Sequence, residues 1–334
     1  MAAEFDFVDI CCGIGAFHIA LKRLGGKCVL ACDRDADARK TYELNHGTTP
    51  WAEDVFKIKA LPKHQVFCAG FPCTTFSLAG KRMGTLDTDA GQVIFAIMRL
   101  VKASKPQLVL LENVPGLLSI HQGETLSYIK KRLKNLGYKV DIQVHDAANF
   151  GAPMHRVRLI IAASLVSDFA GSPRRPKAMN QRVSDFLAKE DEEDGLDLAP
   201  SRYILLPESS RYVHDSKHFV GFLTSINYPS DDLTKLSSHS QAMKIYNTDG
   251  FGENFTSTHR YAFMDGHRVR YLSAKEMYRM MGFPKRFKIH ESRSAALKQL
   301  SNSVNLFMLK PHSTRVGFHG CTLKGRYRDP IFDF

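Results

Sequence analysis

Short apolar runs alternate with helical periodicity through the first 165 residues of the chain. The runs predict strands at residues 5–12, 27–33, 65–70, 107–114, 138–144 and 157–164. Between them, apolar residues recur at helical spacing over 17–24 and over 126–136, and each pattern stops at glycine. This alternation predicts a doubly wound α/β domain, with a parallel sheet covered by helices on both faces.

The pattern weakens between residues 166 and 267, where neither period is clear, and this predicts an inserted, loop-rich lobe with some β content. Helical periodicity returns after Ser273, which forms an S-x-x-E capping box with Glu276. Gly282 and Pro284 then stop this helix, and a second helical pattern covers 295–309. No pattern is evident in the tail, residues 311–334.

Composition narrows the class of protein. A hydrophobic content of 44% in 334 residues excludes disorder for the bulk of the chain. The net charge of +12 makes nucleic acid the first partner to consider. Because no apolar run approaches the roughly 18 residues of a membrane helix and the N-terminus does not resemble a signal peptide, we expect a soluble intracellular protein, nuclear in a eukaryote and cytoplasmic in a bacterium.

The seven cysteines are odd in number and six of them lie in the first quarter of the chain, which is typical of a reducing compartment. Cys28 and Cys32, together with Cys11 and Cys12, could suggest a metal site. Because Cys28 and Cys32 lie in an apolar strand without a second ligand pair, we expect core packing and no metal.

A glycine-rich turn follows the first predicted strand. Gly13 and Gly15 in DICCGIG lie where open α/β sheets bind ligands, and Asp33 ends the second strand twenty residues later, suited to ribose hydroxyls. His18 stands where a dinucleotide fingerprint has its third glycine, which favours a nucleoside cofactor without pyrophosphate, such as S-adenosylmethionine. The alternative is a simple turn between a strand and a helix.

Three further polar groups lie at predicted strand ends. Cys73 in GFPCTTFS is a candidate nucleophile, with a small buried hydrophobic residue as the alternative. Glu112 follows four apolar residues and is a candidate acid, with helix capping as the alternative. Arg156 and Arg158 share one face of an extended chain, unless they are solvated surface residues.

Taken together, these motifs resemble the DNA (cytosine-5) methyltransferase family. The likeness covers residues 5–163 and 269–309, and the segment between them takes the place of the family's variable target-recognition domain. The motifs that carry the likeness are DICCGIG, GFPCTTFS, ENV, HRVR, RYLSAKEMYRMMGFP and QLSNSVN.

The resemblance implies a Rossmann-like methyltransferase fold with a smaller inserted lobe. It assigns residues 1–165 to the catalytic and cofactor-binding domain, 166–267 to target recognition and 268–310 to helices that complete the catalytic domain. The tail at 311–334 has no assigned role.

The resemblance also implies a reaction and its residues. Cys73 would add to cytosine C6 and Glu112 would contact N3 and N4. Arg158 would contact O2, with Arg156 beside it, and the base would be flipped out of double-stranded DNA. The implied contacts with S-adenosylmethionine are Cys11, Gly13, Ile14, Gly15, Asp33, Arg34, Asp54, Val55, Pro72, Asn302, Ser303 and Val304. The implied DNA contacts are Ser77, Lys81, Asn254, Phe255, Thr256 and Ser257.

Two other functions stay open at this point. A tRNA-methylating branch of the family normally carries a Cys-Phe-Thr tripeptide, which residues 166–267 lack. A catalytically silent DNA-binding relative is favoured by departures such as Cys11, which replaces the usual aromatic residue, and disfavoured by the presence of Cys73, Glu112 and Arg158. We expect double-stranded DNA as the partner and a monomeric protein.

Overall fold

A computed structural model describes most of the chain in two compact units. The described residues are 5–51, 54–72, 92–166, 181–188, 197–205, 219–223, 244–252, 254–255 and 261–309. The first unit takes its described residues from 1–146, 157–175 and 302–331, and the second takes them from 147–156 and 176–301.

A six-stranded sheet forms the centre of the first unit, in the order β2-β1-β3-β4-β6-β5. Its strands are β1 Phe5–Ile10, β2 Gly26–Cys32, β3 Val66–Gly70, β4 Leu108–Asn113, β5 Lys139–Asp146 and β6 Val157–Ser164. All six predicted strands are confirmed. The first ends at Ile10 because Cys11 has a φ of 53°, which turns the chain out of the extended conformation.

The direction of β6 differs from the prediction. Strands β1 to β4 are parallel, but β6 runs antiparallel to both β4 and β5, so the prediction of a wholly parallel sheet is wrong at this strand. The reason is the short link 147–156 between β5 and β6. A parallel pairing of these neighbouring strands would need a crossover of about a dozen residues or more.

The described residues of the first unit form four α-helices. They are α1 Ala16–Lys22, α2 Ala36–His46, α3 Val93–Ser104 and α4 Glu124–Asn135. The predicted α1 and α4 are confirmed. Strand β4 is buried along its whole length. The strands form one hydrophobic cluster with α3 and α4, and Tyr42 of α2 packs in a second cluster with Cys12 and Ala31, as is typical of a sheet covered on both faces.

The second unit contains a five-stranded sheet in the order β11-β10-β9-β8-β7, so the predicted β content of the lobe is confirmed. Its strands are β7 Tyr203–Leu205, β8 Phe219–Leu223, β9 Lys244–Asn247, β10 Ala262–Asp265 and β11 Arg268–Tyr271, and α5 Ala274–Met280 and α6 Arg293–Asn302 follow. Helix α5 and nearly all of α6 group with this sheet. The functional roles predicted for the segments stay predictions.

The predicted capping box of α5 is confirmed and lies within a larger buried network. The Ser273 hydroxyl accepts the Glu276 N–H at 3.1 Å, and the Glu276 carboxylate accepts the Ser273 N–H at 2.8 Å. The same carboxylate pairs with Arg270 at 2.8 Å and accepts the Ala188 N–H at 2.9 Å. One buried carboxylate therefore joins β11, the start of α5 and the segment at Ala188.

Within the described ranges, no helix has the length and apolar character needed to cross a membrane.

Candidate active site

The turn after β1 is built on left-handed backbone. Gly13 and Gly15 have φ values of 53° and 86°, which reverse the chain before α1 begins at Ala16. The Gly13 N–H donates to the Asp33 carboxylate at 2.7 Å, and the Cys12 N–H donates to the Cys32 carbonyl at 2.9 Å. The predicted glycine turn and Asp33 are thus brought together at the end of β2. We call residues 11–15 the cofactor turn.

Asp33 is well placed to accept hydrogen bonds from a sugar. Its second carboxylate oxygen accepts the Asp35 N–H at 2.9 Å, so each oxygen has one backbone donor and retains further acceptor capacity. Burial raises the pKa of Asp33, opposed by the two N–H donors. Among the described residues, none comes within 4 Å of a Cβ atom placed on Gly13, so they leave open space beside this glycine. This arrangement fits a ribose-bearing ligand.

A buried ion pair lies at the carboxyl end of β4. The Glu112 carboxylate is 3.0 Å from the Arg158 Nε, and both side chains are 9% exposed. Burial lowers the pKa of Arg158, and the attraction of Glu112 opposes that shift. Helix capping by Glu112 and solvation of Arg158 are therefore not the roles that the structure gives them.

Strand register explains how Glu112 and Arg158 meet. Glu112 faces Gly70 on β3 and Ile160 on β6, and Arg158 lies two residues before Ile160, on the same face. A Cβ atom on Gly70 would lie 3.5 Å from the Glu112 carboxylate and 3.7 Å from a methyl of Val304. The end of β3, the ion pair and residue 304 therefore lie together.

Asn113 ties β4 to the segment that leads to Cys73. Its amide nitrogen donates to the Phe71 carbonyl at 3.0 Å, and its amide oxygen accepts the Val114 N–H at 2.8 Å. The side chain is 3% exposed. Sequence reasoning used only the glutamate of the ENV motif and missed this residue, although a buried amide beside a buried carboxylate at a strand end is itself a signal.

Comparison with known proteins identifies the family. The model of the C-5 cytosine-specific DNA methylase family matches residues 5–311. The chain belongs to this family. The assignment made from the sequence motifs is confirmed, as is classification as a DNA (cytosine-5)-methyltransferase.

Curated relatives of this methyltransferase include bacterial type II enzymes. The chain is 30% identical to the type II methyltransferase M.HhaI of Haemophilus parahaemolyticus over 328 residues, covering 93% of this chain and 94% of that protein. It is 31% identical to M.HpaII of Haemophilus parainfluenzae over 318 residues, covering 90% and 86%.

Solved structures share the fold. The S. pombe Dnmt2 methyltransferase matches with a TM-score of 0.67 at 20% identity, covering 93% of this chain and 98% of that one. The Entamoeba histolytica methyltransferase EhMeth matches with a TM-score of 0.64 at 15% identity, covering 92% and 96%. The predicted α/β, Rossmann-like methyltransferase fold is confirmed.

Arg156 of this methyltransferase is buried and has partners other than those of Arg158. Its guanidinium donates to the Asn254 side-chain oxygen at 2.6 Å and to the Ser301 carbonyl at 2.7 Å, and the residue is 1% exposed. Phe255, also 1% exposed, packs against Tyr261. The ring of Phe255 is thus enclosed, and the DNA contact predicted for this residue stays a prediction. The DNA contact of Asn254 and the catalytic role of Arg156 stay predictions.

The other predicted site residues of the methyltransferase fall into three groups, and their roles stay predictions. Arg34, Pro72 and Asn302 are exposed, Cys11 and Asp54 are partly exposed, and Ile14, Gly15, Val55, Ser303 and Val304 are buried. Residues Cys73, Ser77, Lys81, Thr256 and Ser257 lie outside the described residues.

Cys12, Cys28 and Cys32 pack against apolar neighbours, as the strand pattern predicts. Cys12 packs with Tyr42 and Cys28, and Cys32 lies in the main core. Burial raises the pKa of the Cys28 and Cys32 thiols to about 12. Among the described residues, no group of three or more His, Cys, Asp or Glu residues is placed to hold a metal ion.

Proposed function

We propose that this methyltransferase transfers a methyl group from S-adenosylmethionine to C5 of a cytosine flipped out of double-stranded DNA. The reaction would proceed through a covalent bond between the Cys73 sulfur and cytosine C6. The observation that carries the proposal is the buried Glu112–Arg158 ion pair at the carboxyl edge of the sheet. It is supported by the chain's membership of a family that methylates cytosine in DNA.

The ion pair suits the Watson–Crick edge of a cytosine. The N4 amino group, N3 and O2 lie side by side on that edge, and a carboxyl group and a guanidinium 3.0 Å apart can address all three. Glu112 would take up a proton when the base enters and donate it in a hydrogen bond to N3, and Arg158 would donate to O2. Both contacts would stabilise the negative charge that develops on the ring when a nucleophile adds to C6. These contacts require the base to leave the stacked duplex.

The proposed reaction begins with addition of a thiolate to the cytosine ring. The Cys73 thiolate adds to C6, which makes C5 nucleophilic, and C5 then accepts the methyl group. A base removes the C5 proton and Cys73 leaves as a thiolate, which gives 5-methylcytosine. S-adenosylmethionine supplies the methyl group on a sulfonium centre, and the remaining thioether leaves as S-adenosylhomocysteine.

Asn113 would assist this reaction by positioning the backbone that leads to Cys73. Its hydrogen bond to the Phe71 carbonyl fixes the backbone two residues before Cys73, at the end of β3 beside Glu112. A nucleophile must approach its target within a few tenths of an ångström of the reactive geometry. We therefore assign Asn113 the role of a positioning residue rather than a catalytic one.

The cofactor turn and Asp33 would hold S-adenosylmethionine. Asp33 would accept the ribose hydroxyls in the open space beside Gly13, and Val304, close to Gly70, would line the path toward the ion pair. The contacts predicted for Arg34, Asp54, Val55, Pro72, Asn302 and Ser303 form part of the same proposal. We further propose that residues 166–267 select the DNA sequence and that the enzyme acts as a monomer.

The covalent step is tested with DNA that contains 5-fluorocytosine. Because fluorine cannot leave C5 as a proton, elimination stalls after methyl transfer, and the wild type should form a complex with DNA that survives denaturing electrophoresis. Cys73→Ser should form none. If Cys73→Ser yields the same complex, the nucleophile is another residue.

Transfer of labelled methyl groups to duplex DNA and to tRNA, measured in parallel, decides between the DNA and tRNA substrates.

A further inference from the structure

We infer that His46 is a positioning residue for the cofactor turn and that it sets the affinity for S-adenosylmethionine through the turn. The inference rests on the proposed use of this turn as the cofactor site. His46 is the last residue of α2, distant from the turn in sequence, and it belongs to none of the motifs that carry the family resemblance.

A hydrogen bond joins His46 to the turn. Its Nε2 atom lies 3.2 Å from the Ile14 carbonyl oxygen. Burial lowers the pKa of His46 to about 4, so the ring is neutral near pH 7 and only one of its nitrogens carries a proton. Because a carbonyl can only accept, the proton lies on Nε2 and His46 donates.

The His46 ring also occupies the space against Gly15. A Cβ atom on Gly15 would lie 2.2 Å from Nε2, closer than two such atoms can approach. Gly15 has a φ of 86°, so both its backbone conformation and the nearby ring require glycine. The turn and the histidine therefore fit each other, and no side chain can be added at Gly15 while the His46 ring stays in place.

Two aromatic neighbours fix the His46 ring. It stacks on His18 with centroids 4.1 Å apart and an angle of 17° between the planes, and its centroid is 4.3 Å from that of Tyr42. His18 in turn lies 2.6 Å from the buried Tyr42 hydroxyl. The donor that reaches Ile14 is therefore held by packing from α1 and from its own helix.

Asp33 and His46 act on adjacent parts of the turn. Asp33 accepts the Gly13 N–H, and His46 donates to the carbonyl of Ile14, the next residue. The turn is thus held from β2 on one side and from α2 on the other. If Asp33 contacts the ribose, loss of the His46 hydrogen bond should shift the turn and therefore change the position of Asp33 relative to the ligand.

The test measures S-adenosylmethionine binding by calorimetry without DNA, together with steady-state methyl transfer. His46→Phe keeps an aromatic ring but removes the donor, and it should raise the Kd and the KM for S-adenosylmethionine roughly 3- to 10-fold, the range for one neutral hydrogen bond. The kcat at saturating cofactor and the KM for DNA should stay within about twofold of wild type. His46→Gln, which returns an N–H donor at a similar reach, should restore most of the affinity.

Tyr42→Phe is the matched control, because it removes the hydrogen bond to His18 and leaves the Ile14 contact in place. It should lower the melting temperature and leave the Kd unchanged. If Tyr42→Phe weakens binding as much as His46→Phe, or if His46→Gln binds as weakly as His46→Phe, the positioning role is wrong. If His46→Phe does not fold, His46→Asn, whose amide is too short to reach Ile14, takes its place in the same comparison.

The affinity of Asp33→Ala for S-adenosylmethionine shows whether the proposed cofactor site is correct independently of the role of His46. With a functional cofactor site, Asp33→Ala should lose roughly tenfold or more in affinity. If Asp33→Ala loses affinity and His46→Phe does not, the cofactor site stands and the role of His46 is refuted. If the wild type itself does not bind S-adenosylmethionine, the proposed function and this inference both fall.

Discussion

Adjacent residues at the end of β4 serve separate purposes. Glu112 pairs with Arg158 across the sheet, whereas Asn113 holds the backbone at Phe71. Glu112 is proposed to contact the base, and Asn113 is proposed to fix the backbone that leads to Cys73. Substitutions at the two positions should therefore affect different observables.

Asn113→Ala should slow formation of the covalent complex with 5-fluorocytosine DNA by about 10- to 100-fold, because a nucleophile displaced by about 1 Å can lose two orders of magnitude in rate. Binding of S-adenosylmethionine should not change. The rate is measured by quenched-flow trapping under single-turnover conditions. Asn135→Ala, at the exposed end of α4, is the control and should react at the wild-type rate. A wild-type rate for Asn113→Ala would contradict the positioning role.

The stacked histidines predict an acid-sensitive fold. Burial lowers the pKa of His18 to about 3 and that of His46 to about 4, and nearby Lys22 acts in the same direction on both. Between about pH 6.5 and pH 4 the unfolded chain therefore binds protons at these positions that the folded chain does not. The free energy of unfolding should fall as the pH is lowered through this window. Buried Asp9 and Asp33 have raised pKa values and act in the opposite direction.

A variant isolates the contribution of the histidines. His18→Phe keeps a ring in the stack but cannot titrate, so its urea midpoint should fall less between pH 6.5 and pH 4.5 than that of the wild type. His267→Gln in the exposed turn between β10 and β11 is the control and should retain the wild-type slope. An unchanged slope in His18→Phe would show that other groups carry the acid sensitivity.

At the scale of elements, the positions of the strands along the chain could be predicted more securely than their directions in the sheet. Strands β1, β3 and β4 could be predicted because they are buried on both faces and therefore form nearly continuous apolar runs. The apolar pattern of a strand is the same in both directions, so it predicts where β6 lies along the chain but not whether β6 is parallel or antiparallel to its neighbours. Helix α2 is largely polar and its burial is confined to a few residues, so its pattern is weak. Helix α3 has a buried apolar face that leaves Arg99 and Lys102 exposed, and its pattern was missed.

The site could be predicted to a similar extent. Glu112 and Arg158 were found because each belongs to a motif with its own residue pattern. Asn113 and His46 were missed because their importance lies in a contact with a distant residue, Phe71 in one case and Ile14 in the other. A single sequence holds no record of such tertiary contacts.

The network around Glu276 predicts the stability of the second sheet. Removing one partner of a buried ion pair costs about 3 to 5 kcal/mol, so Glu276→Ala should lower the free energy of unfolding by about that amount. Glu276→Gln retains an acceptor for the backbone N–H groups and should cost less. Chemical denaturation measures both. Arg268→Gln, which removes an exposed partner of Asp265, is the control and should cost about 0 to 1 kcal/mol. A Glu276→Ala variant as stable as the wild type would refute the structural role.

At the scale of the whole molecule, the net charge of +12 should govern DNA affinity. Contacts with phosphates release counterions, so a protein with six to ten such contacts loses about 10³ to 10⁵ in affinity between 50 and 200 mM salt. Fluorescence anisotropy with a labelled duplex should show a steep linear fall of log affinity with log salt. Cofactor binding by calorimetry over the same range should change far less. A flat response with DNA would exclude a large phosphate-contacting surface.

The antiparallel course of β6 places Arg158, at the start of its strand, beside Glu112, near the end of β4. A parallel β6 of the same sequence would carry the arginine to the opposite edge of the sheet, about 20 Å away along the strand. A slip of one residue would turn it to the opposite face. Insertions and deletions in the link 147–156 should therefore be tolerated only when they leave the pairing register of β6 and the buried Arg156 in place, so the alignment of two neighbouring strands limits how such a chain can evolve.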